Sequence, residues 1–100
     1  LYETQEFVCI RDKYPQADVH LLVIPKRHIR SLKEIFPQEG VEESALSFMG
    51  RLFKTAAEIA WKQGLLPQGY QSIINTEAQG GQTIFHLHLH LLASFSSEKR

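Results

Sequence analysis

The sequence predicts an α+β domain, a mainly antiparallel sheet with its helices gathered on one side, and three observations carry that prediction. Residues 85–92 read FHLHLHLL, alternating with the period of two that marks a strand. Residues 42–63 contain no proline and a single glycine, with apolar residues at helical spacing. The remaining strand-like runs fall in groups before and after that helix instead of alternating with helices, which disfavours a parallel sheet.

Taken in order, residues 6–12 (EFVCIRD) form the first strand candidate, closed by the turn-prone Asp12-Lys13-Tyr14-Pro15. Residues 19–25 (VHLLVIP) follow as a near-continuous apolar run, the pattern of a strand buried on both faces, ended by Pro25. Ser31 and Glu34 have the spacing of a capping box, predicting a short helix up to Pro37. In the long helix, Leu46, Met49, Phe53, Ala56 or Ala57 and Ala60 mark one apolar face, and Gly64 is placed to cap its end. Residues 65–69 make the return loop, 70–75 (YQSIIN) a third strand, and TEAQGGQ turns the chain into a fourth and longest strand over 83–93.

Composition narrows the function. A chain of 100 residues that is 43% hydrophobic supports one core, hence a single domain over residues 1–100. Eleven basic and eleven acidic residues leave no net charge, which argues against a protein that coats nucleic acid or an anionic membrane through bulk charge. The lone Cys9 sits in the apolar run FVCI as a small buried hydrophobe; with one cysteine, no disulfide framework forms within the chain, and a reducing, cytoplasmic compartment is expected. No stretch reaches the ~20 apolar residues of a membrane span. The chain begins at Leu1, so a short upstream segment is expected to be missing.

The histidines carry the chemistry. On a strand, His86, His88 and His90 share one face while Leu87, Leu89 and Leu91 share the other and can pack on the long helix. One strand histidine is most simply a hydrogen-bonded core residue, but three in register bring up to six ring nitrogens that need partners. A metal uses them poorly: the outer two lie ~13 Å apart at ~3.3 Å per residue, so one ion cannot collect all three. Nucleophilic attack on phosphorus by one neutral imidazole, oriented and assisted by its neighbours, uses the row better. The small residues Gly80 and Gly81 just upstream let backbone N–H groups approach an oxyanion.

His86-Leu-His88-Leu-His90-Leu-Leu resembles the signature of the histidine triad (HIT) superfamily. Asp12-Lys13-Tyr14-Pro15, His20 to Ile29, Gly69-Tyr70, Ile74-Asn75 and Gly80-Gly81-Gln82-Thr83 stand where that family has similar segments, and the whole is most similar to its Hint branch, the purine nucleoside phosphoramidases. The resemblance implies a five-stranded antiparallel sheet with one long and one short helix, and a homodimer in which two sheets join. It implies that His88 attacks the α-phosphorus of a purine nucleoside 5′-phosphoramidate or acyl adenylate, giving a nucleotidyl-histidine that water cleaves. His90 and Thr83 would lie near the leaving group and phosphate oxygens, and Asn75, Gly81 and Gln82 would hold the α-phosphate. Asp12 would bind the ribose, Lys13 would lie beside the purine, and His20 and His86 would orient the catalytic ring. Many relatives hold zinc with a Cys-x-x-Cys unit and histidines matching His28 and His86; the unit is absent here, so neither metal nor cofactor is expected. Thr83 replaces the usual serine, and the tail 93–100 lacks the tryptophan common in Hint proteins. Rival functions are dinucleoside polyphosphate hydrolysis and a non-catalytic nucleotide-binding module.

Overall fold

The computed structural model describes residues 1–40 and 42–95. Five strands, β1 (Tyr2–Glu3), β2 (Phe7–Arg11), β3 (Val19–Pro25), β4 (Gln71–Ile73) and β5 (Leu89–Ala93), pair antiparallel in the order β1-β2-β3-β5-β4. Two helices, α1 (Leu32–Ile35) and α2 (Glu43–Lys62), lie between β3 and β4 in the chain. The α+β class and the five-stranded antiparallel sheet are as expected. The short edge strand β1 completes the five and was not among the four strands the sequence suggested. The tail discussed above lies, from residue 96 onward, outside the described residues. No helix among the described residues is long and apolar enough to cross a membrane.

Register decides what the sheet shows on each side. Cys9 pairs with Val23, Val23 with Leu89, and Leu21 with Leu91, so these side chains share the face toward α2. There they join Phe7, Phe48, Leu52, Ala56 and Ile59 in the core, with the Phe7 and Phe48 rings 5.8 Å apart. Leu87, Leu89 and Leu91 are fully buried, each contributing about 1.5–3 kcal/mol by its removal from water. The opposite face carries the row Ile10, Leu22, His90 and Ile73, in which each residue pairs with the next. That face is only half covered, so β3 is not buried on both sides as its apolar run suggested: Leu22 and Ile24 remain partly accessible.

Two further expectations need correction. The strand expected over 83–93 is a ladder only from Leu89 on. Two positions beyond the Val23–Leu89 pair, opposite Leu87, stands Pro25, which has no N–H to offer, and the Leu87 N–H bonds to the carbonyl of Ile29 at 2.6 Å. The loop after β3 thus captures the chain, and His86 and His88 precede the ladder, yet the burial alternation persists through them. The buried face of α2 is formed by Ala45, Phe48, Leu52, Ala56, Ile59 and Ala60; it keeps Ala56 and Ala60 of the expected stripe, with Met49 packed at its margin, but not Leu46 or Phe53. Leu46 and Phe53 are 49% and 45% exposed and Trp61 is 71% exposed, so the helix carries two apolar stripes and the domain uses the other one.

The helix ends follow their local chemistry. Gly64, at φ +72°, donates to the carbonyl of Trp61, and Leu65 donates to that of Ala60, the paired bonds of a Schellman cap. At α1, Ser31 Oγ accepts from the Lys33 N–H, but Glu34 reaches past Ser31 to the N–H of Arg30 at 2.8 Å, so the expected capping box is closed on one side only.

Candidate active site

The uncovered face of the sheet brings His20, His88 and His90 together. His20 pairs with Leu92 across the β3–β5 ladder, which makes His90 its diagonal neighbour on that face. The His20 and His90 rings lie 5.1 Å apart and those of His88 and His90 4.8 Å apart.

Hydrogen bonds assign a proton to each ring. The backbone N–H of Gln16 donates to His20 Nδ1 at 3.0 Å, so neutral His20 carries its hydrogen on Nε2. That hydrogen points at His90 Nδ1, 2.9 Å away, which leaves His90 with its own hydrogen on Nε2. His88 Nδ1 donates to the carbonyl of His86 at 2.7 Å, so Nε2 of neutral His88 is an unprotonated lone pair. His86 donates from Nε2 to the carbonyl of Pro25 at 2.9 Å and packs edge-on against His28, 4.9 Å between centroids. The triad is therefore not three equivalent groups: one ring presents a free lone pair, one a free N–H, and one braces the β3 end against the segment leading into β5. Burial lowers the pKa of His90, with further lowering from the charges of His88 and His20 and partial opposition from Asp12.

Asp12 serves two partners. Its Oδ1 accepts from the Tyr14 N–H at 2.7 Å, the turn role considered for it, while Oδ2 lies 3.4 Å from His20 Nε2 on the rim of the site. Lys13 beside it is exposed. Asp12, His20 and His90 are the one group among the described residues whose ligand-type atoms, all within 4.8 Å of one another, could collect a metal ion. The 2.9 Å His20–His90 contact is a hydrogen bond with a proton between the two nitrogens, and an ion would have to displace it.

The loop from Asn75 to Thr83 follows β4, whose Ile73 pairs with His90. The glycine turn does not present a row of free N–H groups as expected, because Gly80 donates to the carbonyl of Glu77, Gly81 to that of Ala78, and Gln82 to that of Glu77. The Gln82 side chain is turned inward, donating to the carbonyls of Arg30 and Ile84 and accepting from the Glu77 N–H. Both of its donors are thus spent on backbone carbonyls, one of them at the start of α1. Gly81 takes φ +89°, a conformation that favours glycine, and it lies against the Asn75 side chain. Asn75 gives one amide hydrogen to the Gly80 carbonyl at 2.8 Å and keeps the other. Thr83 is exposed and enters no hydrogen bond among the described residues. Sequence reasoning missed Gln16, which acts through its backbone and leaves no side-chain signal. It also missed Glu77, whose carboxylate accepts from Arg30 and Ser31.

The sheet thus carries α2 on one face and, on the other, an imidazole with a free Nε2. The family model described as HIT domain matches residues 1–97. The chain belongs to the HIT family. An uncharacterised HIT-like protein of Synechococcus elongatus is 45% identical over 96% of this chain and 78% of its own length. The purine nucleoside phosphoramidase of Escherichia coli K12 is 37% identical over 92% of this chain and 72% of its own. Among solved structures, a HIT family hydrolase from Legionella pneumophila superposes with a TM-score of 0.83 at 32% identity, covering 98% of this chain and 82% of the other.

Proposed function

We propose that this HIT protein is a nucleotide-binding hydrolase that cleaves the P–N or mixed-anhydride bond of purine nucleoside 5′-phosphoramidates and acyl adenylates through a nucleotidyl-histidine. The observation that carries the proposal is the bond from His88 Nδ1 to the His86 carbonyl, which holds the Nε2 lone pair ready on the open face of the sheet. Similarity to a relative named purine nucleoside phosphoramidase supports the substrate class.

In the first step Nε2 of His88 bonds to the α-phosphorus and the P–N bond breaks, the departing amine taking a proton from water. The adduct ring is cationic, and the carbonyl of His86 accepts the hydrogen that carries much of this charge. In the second step water bonds to phosphorus, the P–Nε2 bond breaks, the proton the water loses neutralises the hydroxide left by the first step, and a nucleoside monophosphate leaves with His88 again neutral. His90 donates from Nε2 to the leaving group or a phosphate oxygen, as do the spare Asn75 hydrogen and the Thr83 hydroxyl. Gly81 and Gln82 shape the phosphate loop. Asp12 takes the ribose hydroxyls with Oδ2, Lys13 lies at the rim, and the accessible Ile10 and Leu22, in the row that leads to His90, offer the base an apolar shelf.

A homodimer fits the same surfaces. The uncovered stripe of Leu46, Phe53 and Trp61 is a second apolar face of α2, and β4, at the open edge of the sheet, is free to extend it. Incubation with adenosine 5′-phosphoramidate tests the activity: release of AMP that disappears in His88→Ala supports the hydrolase, whereas AMP binding without turnover by the unmodified protein rejects it.

A further inference from the structure

We propose that Glu77 is a positioning residue, a carboxylate latch that ties the Asn75–Thr83 loop to the start of α1 and so sets where Asn75 and Thr83 meet the phosphate. The proposal deepens the function given above and rests on it. Glu77 has φ 62° and ψ 177°, a backbone region that is essentially glycine's, and it is the only residue other than glycine with positive φ among the described residues. A glutamate persists in such a conformation only where its surroundings hold it there.

Here they do so from both ends. Its Oε2 accepts from the hydroxyl of fully buried Ser31 at 2.5 Å and from Arg30 Nε at 3.1 Å, and its Oε1 accepts from Arg30 Nη2 at 3.0 Å. Ser31 in turn caps α1, so the carboxylate is anchored to a helix start rather than to a mobile side chain alone. On the backbone, the Glu77 N–H donates to Gln82 Oε1 at 2.7 Å, and its carbonyl accepts from both Gly80 and Gln82. One residue thus gathers the loop's internal bonds at its backbone and, beside the Gln82 amide bond to the Arg30 carbonyl, an external tie at its side chain. The pairing with Arg30, then the Ser31 hydroxyl, holds the carboxyl down to about 2, so the latch is charged throughout the neutral range.

Glu77→Gly eases the backbone and removes only the tie, and Arg30→Gln removes most of the tie from the other side. Amide exchange at Gly80, Gly81 and Gln82 is expected to rise on the order of tenfold in each variant. Turnover of adenosine 5′-phosphoramidate should fall about tenfold in kcat, with KM changed less than about threefold, because a misplaced loop fails chiefly in the transition state. The double variant should fall short of the sum of the two single losses, since both break the Arg30–Glu77 pair, while each also loses a contact of its own, Ser31 for Glu77 and the Phe85 ring for Arg30. Unchanged exchange, unchanged kcat despite faster exchange, or a loss confined to Glu77→Gly would each overturn the latch. Should the unmodified protein show no turnover, the proposed hydrolase is refuted on its own; the latch is then decided by exchange together with AMP affinity, which must weaken in both variants.

Discussion

His20→Phe tests the proton chain that sorts the histidines into roles. His20 is 6% exposed, and its ring is held by two hydrogen bonds, from the Gln16 N–H at 3.0 Å and to His90 Nδ1 at 2.9 Å. Phenylalanine keeps a ring of similar volume, so no large cavity opens, but both bonds are lost. At a net ~1 kcal/mol each, the variant should be destabilised by about 2 kcal/mol. In a 100-residue domain that lowers Tm by about 8–16 °C. His90 then loses the donor that fixes its tautomer and one of the charges that lower its pKa, so its titration, followed by imidazole NMR, moves to higher pH. With the ring free to reorient, kcat on adenosine 5′-phosphoramidate should fall about tenfold. A Tm within 2 °C of the unmodified protein, together with unshifted His90 titration and unchanged kcat, would refute the chain.

Other outcomes follow from the same geometry. Leu89→Ala, at a fully buried position between the sheet and α2, should cost about 2–5 kcal/mol in urea denaturation; a loss under about 1 kcal/mol would mean the core is not where the register puts it. Because the folded-state pKa of His90 lies below its ordinary 6.5, the unfolded chain takes up a proton at a pH where the folded domain does not. That share of stability is present above pH 6.5 and lost as pH falls through 6.5 toward the lowered value, so the drop in Tm from pH 7.5 to 5.5 should shrink in His90→Gln. Phe53→Glu combined with Trp61→Glu, both on the uncovered stripe, should convert a dimer to a folded monomer in sedimentation velocity. A unmodified protein that already sediments as a monomer would remove the dimer from the account.

Much of this was legible in the chain because periodicity is local. The alternation of 85–92 correctly placed leucines inward and histidines outward, and register then brought His20 to His90, which no local pattern could announce. The helical period was legible as well, but α2 carries two apolar stripes, and only the packing of Phe48, Leu52 and Ile59 on β3 and β5 decides which one the domain buries. The end of the β5 ladder was hidden because it depends on a proline 62 residues earlier than Leu87 and on the Ile29 carbonyl beyond it. The glycine turn suggested free N–H groups, yet whether an amide faces out or closes on Glu77 is a matter of dihedral angles that composition does not specify. Glu77 itself gave no signal, since nothing in a sequence marks a glutamate held in glycine's conformation.

The central claim is that Nε2 of His88 becomes bonded to phosphorus during turnover. Rapid mixing with adenosine 5′-phosphoramidate, denaturation without acid and peptide mass spectrometry test it most directly. A nucleotide adduct on His88 that forms before AMP accumulates and is absent from His88→Ala is the predicted result. Accumulation of AMP with no adduct at any time, or an adduct carried by His86 or His90 instead, would contradict the account.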